Sequence, residues 1–379
     1  MALVLTEEQE LLKDTASEFV LENSPVARLR KLRDTADSTG FSRSLWKEMA
    51  ELGWTGIVFP ESSGGSELGF SEFGVLLEEL GRTLTPEPFV STVLLAGSAI
   101  LLGGSDAQKE TILKGICDGE LVLALAFQEQ GRFDPYAVAM KAPASGSGFV
   151  LSGEKRFVLD GHVADQLVVV ARTSGEVGDR DGLTLFLVNP AADGVEVTRT
   201  LMVDSRNAAL VRLDGLQVDA AQVVGEVHKG ADILDPLFDR ATVGLAAELL
   251  GTTREAFDRT LEYLKTREQF GAKIGSFQGL KHRAAEMFCE LELSQSVLME
   301  ALRAIDEGRD DVPQLVSAAK ARISDTACLV TREAVQMFGG IGMTDEEEIG
   351  FFLKRSQAAE QTFGDAAYHR NRYANLCGY

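Results

Sequence analysis

Residues 262–278, which read EYLKTREQFGAKIGSFQ, contain side chains suited to binding a nucleotide. Arg267 offers a permanently charged, forked guanidinium that matches diphosphate oxygens. Phe270 and Phe277 offer flat apolar surface to an adenine ring, and Gln278 can hydrogen-bond to its edge. Taken singly, phenylalanines of this kind are more often core residues, so both interpretations stay open at this point.

A glycine pair marks a second segment, residues 334–342, which read AVQMFGGIG. Gly339 and Gly340 permit close approach of the backbone to a bound molecule, and Gln336 lies nearby as a hydrogen-bonding side chain. Glycine directly after a helix is also a common helix C-terminus. The pattern therefore indicates either a ligand site or the end of a helix.

Other catalytic patterns are missing from the sequence. No GxGxxG follows a strand, and neither GxxxxGK[ST], HExxH nor GxSxG occurs. The histidines show no paired spacing that would favour zinc binding; they are His162, His228, His282 and His369. We therefore expect no metal site and no serine nucleophile.

The elements that must position these residues fall into three parts. Residues 1–118 are dominated by helical periodicity, and residues 119–228 contain short runs rich in Val, Leu and Phe between turn residues. Residues 229–379 contain long amphipathic helices, which we predict over 243–264, 280–304 and 312–338. The order predicts an α+β multidomain chain with an N-terminal helical domain, a middle antiparallel β-barrel or sandwich and a C-terminal four-helix bundle.

The amino-acid composition limits which classes of binding partner and which cellular compartment we expect. The chain of 379 residues has 37 Lys and Arg against 58 Asp and Glu, a formal net charge of −21. So acidic a chain argues against nucleic acid or an anionic membrane as the main partner. No apolar run approaches the ~20 residues of a membrane span, and the first residues lack the basic segment of a signal peptide. Four scattered cysteines favour a reducing compartment, so we expect a soluble, cytoplasmic protein.

In their order and spacing, the two nucleotide-suited segments resemble those of the acyl-CoA dehydrogenase superfamily. Residues 53–65 (GWTGIVFPESSGG) and 78–81 (EELG) resemble the same family, so the likeness covers essentially the whole chain. It implies the helical, β, helical fold and an FAD cofactor. It also implies that Arg267, Phe270 and Gln278 hold the adenine end of FAD across a subunit interface.

The same resemblance assigns Gln336, Gly339 and Gly340 to the neighbouring subunit, and therefore implies a dimer or tetramer. At the flavin ring the family has a Thr-Glu-Pro-Gly-x-Gly-Ser-Asp loop and a Trp-Ile-Thr-Asn-Gly strand. Here the corresponding residues 128–134 and 157–161 read QEQGRFD and FVLDG. Gln128 can bond a flavin carbonyl and Phe157 can stack in place of the Trp, but Leu159 has no hydroxyl to replace that of the Thr.

A catalytic base is absent from both positions where the family places one. Phe363 stands where the Glu of a Tyr-Glu-Gly-Thr motif is expected, and Ala241 stands where some members have a Glu on an earlier helix. The nearest substitutes are Asp239 and Asp365, each two residues away, and we favour Asp239 as the candidate catalytic residue. Glu248, inside an apolar helical run, is interpreted as a buried pairing partner.

Three functions follow from the resemblance. The first is α,β-desaturation of an acyl-CoA thioester, with electrons passed to an electron-transfer flavoprotein. The second is a catalytically incomplete partner subunit in an α2β2 enzyme for bulky esters such as steroid side-chain CoA, because chains ending in Phe-Gly-Asp-x-x-x-His-Arg resemble actinobacterial or proteobacterial subunits of that kind. The third is a flavin oxidase or monooxygenase.

Overall fold

A computed structural model describes residues 4–379, which form two compact units. The first unit comprises residues 4–31, 70–85 and 242–379, and the second comprises residues 32–69 and 86–241. Each unit therefore combines segments that are distant in sequence. The predicted boundaries at residues 118 and 228 follow chain order instead, and they stay a prediction.

Helices precede and follow a β region, as the α+β prediction requires. In chain order the α-helices are α1 (Glu7–Asn23), α2 (Val26–Asp34), α3 (Arg43–Glu51), α4 (Phe70–Arg82), α5 (Ser98–Gly103), α6 (Asp106–Gln108), α7 (Lys114–Cys117), α8 (Gly230–Thr266), α9 (Gln278–Asp306), α10 (Val312–Phe338), α11 (Ile349–Gln361) and α12 (Ala366–Leu376). Two π-helical segments, Phe89–Gly97 and Lys109–Leu113, join the short helices of the second unit.

The three long predicted helices are confirmed. The spans 243–264 and 280–304 lie inside α8 and α9, and α10 has the predicted bounds 312–338. Each is longer than the ~12 residues at which helices become independently favourable, and each contributes buried apolar residues to the core, with α8 buried on every side over residues 241–253. Helix α10 has Pro313 in its first turn, where the fixed φ of proline is suitable, and ends where Gly339 adopts φ +70°.

Two four-stranded sheets form the β region. The strands are β1 (Leu123–Ala126), β2 (Ala144–Ser145), β3 (Gly148–Leu159), β4 (Gln166–Arg172), β5 (Leu183–Val188), β6 (Val195–Leu201), β7 (Asn207–Asp219) and β8 (Val223–Val224). One sheet has the order β1-β4-β5-β8 and the other β2-β3-β7-β6. Residues between the two sheets, among them Leu151, Val169, Phe186 and Val211, form the buried core of this unit.

One strand pair departs from the antiparallel prediction, because β1 pairs with β4 in parallel. After β1 the chain forms β2 and β3 in the other sheet before it returns as β4, and that crossover allows the parallel register. The remaining pairs in both sheets are antiparallel. Within residues 4–379, no helix is both long and apolar enough to cross a membrane.

Candidate functional site

The segment after α8 forms a small hairpin whose tip is exposed. Strands β9 (Glu268–Gln269) and β10 (Ala272–Lys273) pair around Phe270, which adopts φ +54° and is 96% exposed. The ring of Phe277 lies edge-on to that of Phe270, with the centroids 6.3 Å apart. Interpreting the two phenylalanines as core residues is therefore wrong. Their apolar surface faces outwards, and burying it against a ligand or partner would be favourable.

Arg267 lies at the base of this hairpin, where its backbone is fixed at both ends. Its amide donates to the carbonyl of Tyr263 (2.9 Å), and its own carbonyl accepts from the amide of Ile274 (2.9 Å). The guanidinium is exposed and forms no ion pair or hydrogen bond with any residue from 4 to 379. Gln278, also exposed, is the first residue of α9. The hairpin thus presents an unpaired cation, two aromatic rings and an amide.

The glycine pair follows directly after α10. Space around both residues is open: a Cβ placed on Gly339 or Gly340 would meet no heavy atom within 4 Å. Gln336, in the last turn of α10, is exposed as well. The helix-end interpretation is therefore confirmed, since Gly339 follows the last residue of α10, and the ligand-site interpretation stays a prediction that the open backbone permits.

Stacked aromatic rings join the ends of α8 and α10 inside one chain. The ring of Tyr263 lies 4.3 Å from that of Phe338, with 15° between their planes. Tyr263 precedes Arg267 by one helical turn, and Phe338 directly precedes the glycine pair. The two nucleotide-suited segments therefore extend from neighbouring helix ends of a single chain.

The predicted flavin-edge residues lie in the second unit, where the structure joins their two segments. The carbonyl of Gln128 accepts from the amide of Arg156 (2.8 Å), and the Gln128 side chain donates to the carbonyl of Gln130 (2.8 Å). Phe157 sits where the β3–β7 register shifts between Lys155 and Val158. This bulge gives Phe157 a left-handed backbone (φ +51°) and leaves its ring 43% exposed.

A buried ion pair, not predicted from the sequence, holds the same loop. Lys155 is fully buried and donates from Nζ to Glu129 Oε1 (2.6 Å) and to the carbonyl of Phe127 (3.1 Å). The Glu129 carboxylate also accepts from the amides of Ala139 (2.8 Å) and Met140 (3.1 Å). Burial lowers the pKa of Lys155 to about 8, although Glu129 acts to raise it.

The burial of Lys155 could in principle have been recognised from the sequence. Leu151, Lys155 and Val158 are the buried residues along the middle of β3, so a lysine stands among the inward-facing positions of that strand. A lysine there needs an anionic partner, and Glu129 is the carboxylate that meets it.

Neither expected base position carries a carboxylate. Phe363 lies between α11 and α12 with φ +60° and is 3% exposed, while Ala241 in α8 is fully buried. Of the two substitutes, Asp365 is engaged as the N-cap of α12, because its Oδ1 accepts from the amide of Tyr368 (2.7 Å). Asp239 is buried in α8 at 6% exposure, and its role as a base stays a prediction.

Glu248 pairs as the sequence predicted. Its Oε1 lies 3.2 Å from Nη1 of Arg355, and both side chains are at least 95% buried. Since a buried charge requires a close counter-charge, this contact is a structural bond between α8 and α11.

Comparison with known proteins shows to which family the chain belongs. Residues 6–120, 124–214 and 228–376 match the models of the acyl-CoA dehydrogenase N-terminal, middle and C-terminal domains. Isovaleryl-CoA dehydrogenase from Bos taurus mitochondria is 30% identical over 374 residues, which cover 97% of this chain and 87% of that protein. The chain belongs to the acyl-CoA dehydrogenase family. Its three-domain fold and its class, an FAD-dependent oxidoreductase acting on acyl-CoA, are those predicted.

Two solved structures are similar to this chain over nearly its full length. The ChsE4-ChsE5 complex from Mycobacterium tuberculosis is 26% identical with a TM-score of 0.90, and the match covers all of both chains. The steroid ACAD Tcur3481-Tcur3483 is 30% identical with a TM-score of 0.87, and the match covers 98% of both chains.

The residues around the hairpin fit the FAD that the family uses. The exposed guanidinium of Arg267, which has no carboxylate partner within residues 4–379, suits a diphosphate, and the adjacent phenylalanine pair suits an adenine ring. The open backbone at Gly339 and Gly340 leaves room for close contact.

Proposed function

We propose that this chain is an FAD-binding subunit of an acyl-CoA dehydrogenase in which a second family member supplies the catalytic base. The observation that carries the proposal is the pair of buried apolar side chains, Phe363 and Ala241, at both positions where the family places a carboxylate. Neither side chain can accept a proton. The exposed side chains Arg267, Phe270, Phe277 and Gln278 in the same chain support retention of the adenine end of the cofactor site.

Arg267, Phe270, Phe277 and Gln278 are proposed to hold the diphosphate and adenine of FAD, together with Gln336, Gly339 and Gly340. The Tyr263–Phe338 stack favours both sets acting from one chain on one adenine, in place of the division between two subunits expected from the sequence. Gln128 and Phe157 are proposed to face the flavin ring. Bound FAD supplies the acceptor for a hydride.

The reaction proposed for the assembly is α,β-desaturation of a CoA thioester. A carboxylate would take the proton from Cα, and FAD held by these residues would supply the acceptor for the hydride from Cβ, which leaves a Cα–Cβ double bond. The two electrons would leave the assembly through an electron-transfer flavoprotein. A bulky ester such as a steroid side-chain CoA thioester is the proposed substrate class, supported by the similarity to Tcur3481-Tcur3483. A cytoplasmic location is part of this proposal.

A second candidate is a self-sufficient dehydrogenase in which Asp239 is the base. Its support is the burial of Asp239 in α8, next to Phe238, whose ring packs edge-on against Phe127 (4.8 Å) and Phe133 (5.2 Å). Burial is the condition that raises the pKa of a carboxylate towards the range in which a general base operates.

Anaerobic spectroscopy separates the candidates. The purified chain, reconstituted with FAD, is titrated with butyryl-, isovaleryl-, octanoyl- and a steroid side-chain CoA ester, and absorbance near 450 nm is followed. We expect a flavin spectrum that no ester bleaches. Phe363→Glu, which restores a carboxylate, should bleach with at least one ester, and Phe363→Gln, of similar size but unable to take the proton, should not.

Bleaching of the unaltered chain, abolished by Asp239→Asn, would contradict the partner-subunit proposal and establish the second candidate. Bleaching followed by rapid reoxidation in air would instead favour an oxidase. Failure of the chain to bind FAD would contradict an FAD-binding subunit, a self-sufficient dehydrogenase and an oxidase alike.

A further inference from the structure

The turn that carries Phe363 has an unusual backbone that needs external support. Phe363 and Gly364 have φ values of +60° and +99°, so two successive residues lie in the left-handed region. A Cβ on Gly364 would lie 2.4 Å from Cδ1 of Tyr368, which explains why glycine is required there. At residue 363 the left-handed conformation is costly, because a side chain is present.

A histidine from the next helix binds this turn directly. His369 in α12 is 2% exposed, and its Nε2 lies 2.9 Å from the carbonyl oxygen of Phe363. Since a carbonyl oxygen only accepts hydrogen bonds, Nε2 carries the hydrogen. Nδ1 is buried and has no hydrogen-bond partner among the residues that the structure describes.

His369 is neutral under ordinary conditions. Burial, with a smaller contribution from the nearby Lys320, lowers its pKa to about 3. Arg372 also disfavours the charged form, while Asp365 and the bond to Phe363 favour it. The imidazole therefore acts as a fixed hydrogen-bond donor and takes up no proton above about pH 5.

The other side of the turn is held by a buried amine. Lys320 in α10 is fully buried, and its Nζ donates to the carbonyls of Ala359 and, at 3.4 Å, Glu360 in the last turn of α11. No carboxylate among residues 4–379 lies within ion-pair distance of it. Both polar contacts thus go to backbone carbonyls on the chain leading into the turn.

We propose that His369 is a positioning residue that, with Lys320, clamps the turn at residues 362–364 and so sets the backbone at position 363. The role of position 363 in the reaction rests on the proposed function, whereas the clamp itself does not. Lys320 fixes the end of α11, His369 fixes the carbonyl of residue 363, and Gly364 permits the reversal between them.

Hydrogen exchange of the unaltered, FAD-loaded chain tests the clamp without any substrate. His369→Leu removes the donor, whereas His369→Gln can return an N–H close to the position of Nε2. We expect His369→Leu to speed exchange of the amides of residues 362–365 about tenfold, with α9 little changed, since losing one buried bond releases only local structure. His369→Gln should restore most of the protection.

Equal exchange in the Leu variant and the parent, or equal loss in the Leu and Gln variants, would overturn the proposal. If His369→Leu fails to fold, Lys320→Met replaces it, with Thr331→Val as its control. Thr331 is a buried α10 residue that bonds Ser356 of α11 (3.0 Å) but does not touch the turn. Lys320→Met should loosen residues 362–365 and Thr331→Val should not; the same effect from both would also overturn the clamp.

A second measurement relates the clamp to the reaction. In the Phe363→Glu background, His369→Leu should lower the rate of flavin reduction at saturating ester about tenfold and leave the half-saturating concentration unchanged, because only the reacting geometry is altered. His369→Gln should recover the rate. If Phe363→Glu reduces no flavin, the proposed function fails, while the exchange measurement still decides on the clamp.

Discussion

At the scale of single residues, Phe270 shows most directly how a side chain is presented for binding. A phenylalanine with a left-handed backbone and 96% exposure is unfavourable in isolation, because the backbone strain and the exposed ring both have a cost. Arg267, at the base of the same hairpin, is a charge without a partner in the described part of the chain. We propose that both residues gain their favourable contacts from FAD.

Arg267→Ala should therefore weaken FAD binding. Loss of a charge-assisted bond to a diphosphate amounts to about 1.5–3 kcal/mol, roughly a tenfold or greater rise in the FAD dissociation constant. Fluorescence titration of the apoprotein with FAD measures it. Lys265→Ala is the matched control, since Lys265 is an exposed cation two residues away that already pairs with Glu262 (2.6 Å). Equal affinities of the two variants would exclude Arg267 from the cofactor site.

At the scale of elements, an ion pair stabilises the loop after β1. This loop is the segment in which the chain departs from the family motif. The Glu129 carboxylate binds Lys155 and two backbone amides, so it connects β3 with residues 139–140. The same loop presents Gln128, whose carbonyl binds the amide beside Phe157. The conformation of the predicted flavin edge thus includes a buried ion pair between Glu129, a residue of the altered motif, and Lys155 in β3.

Removing one partner of this pair should be costly. Lys155→Met leaves the Glu129 carboxylate in a largely buried site without its cation, and we expect a loss of about 3–5 kcal/mol in the free energy of unfolding. Urea denaturation measures the change, with the exposed Lys47→Met as control. The double variant Lys155→Met, Glu129→Gln should recover part of the loss. A single variant as stable as the parent would show that the pair is not needed to hold the loop.

At the scale of the whole molecule, each unit contains one fully buried lysine. Burial lowers the pKa of Lys155 to about 8 and that of Lys320 to about 7, from the 10.5 of an exposed lysine. Between pH 7 and 8.5, the unfolded chain keeps both amines protonated while the folded chain progressively releases these protons. Unfolding therefore takes up protons in this range, and stability rises with pH.

Lys320→Met should reduce this pH dependence. The free energy of unfolding of the parent is expected to increase from about pH 7 to about pH 8.5, and the slope should be smaller in the variant, because one proton-uptake group has been removed. Urea denaturation followed by helical circular dichroism at several pH values measures both slopes. The upper limit avoids Cys117, whose pKa burial raises to about 11 and which acts in the opposite direction at higher pH. Equal slopes would mean that Lys320 stays charged in the folded chain.

The long periodic helices and the family were determined by the sequence alone. Apolar spacing specified α8, α9 and α10, and the order of the motifs specified the family, because both signals are local along the chain. The loss of both carboxylates at positions 363 and 241 was likewise visible without coordinates. What such signals cannot specify is which distant residues meet.

Only the tertiary structure decided the parallel β1–β4 pair, the exposure of Phe270 and Phe277, and the partners of the buried charges. The β1–β4 pairing depends on where the chain returns after visiting a second sheet. Lys155 and Glu129 are 26 residues apart, and Lys320 and the end of α11 about 40, so no periodic pattern relates them. A buried charge is costly unless it is paired or hydrogen-bonded, and its partner can come from any segment that packs beside it in the folded chain. The same holds for the hydrogen bonds that stabilise a left-handed turn.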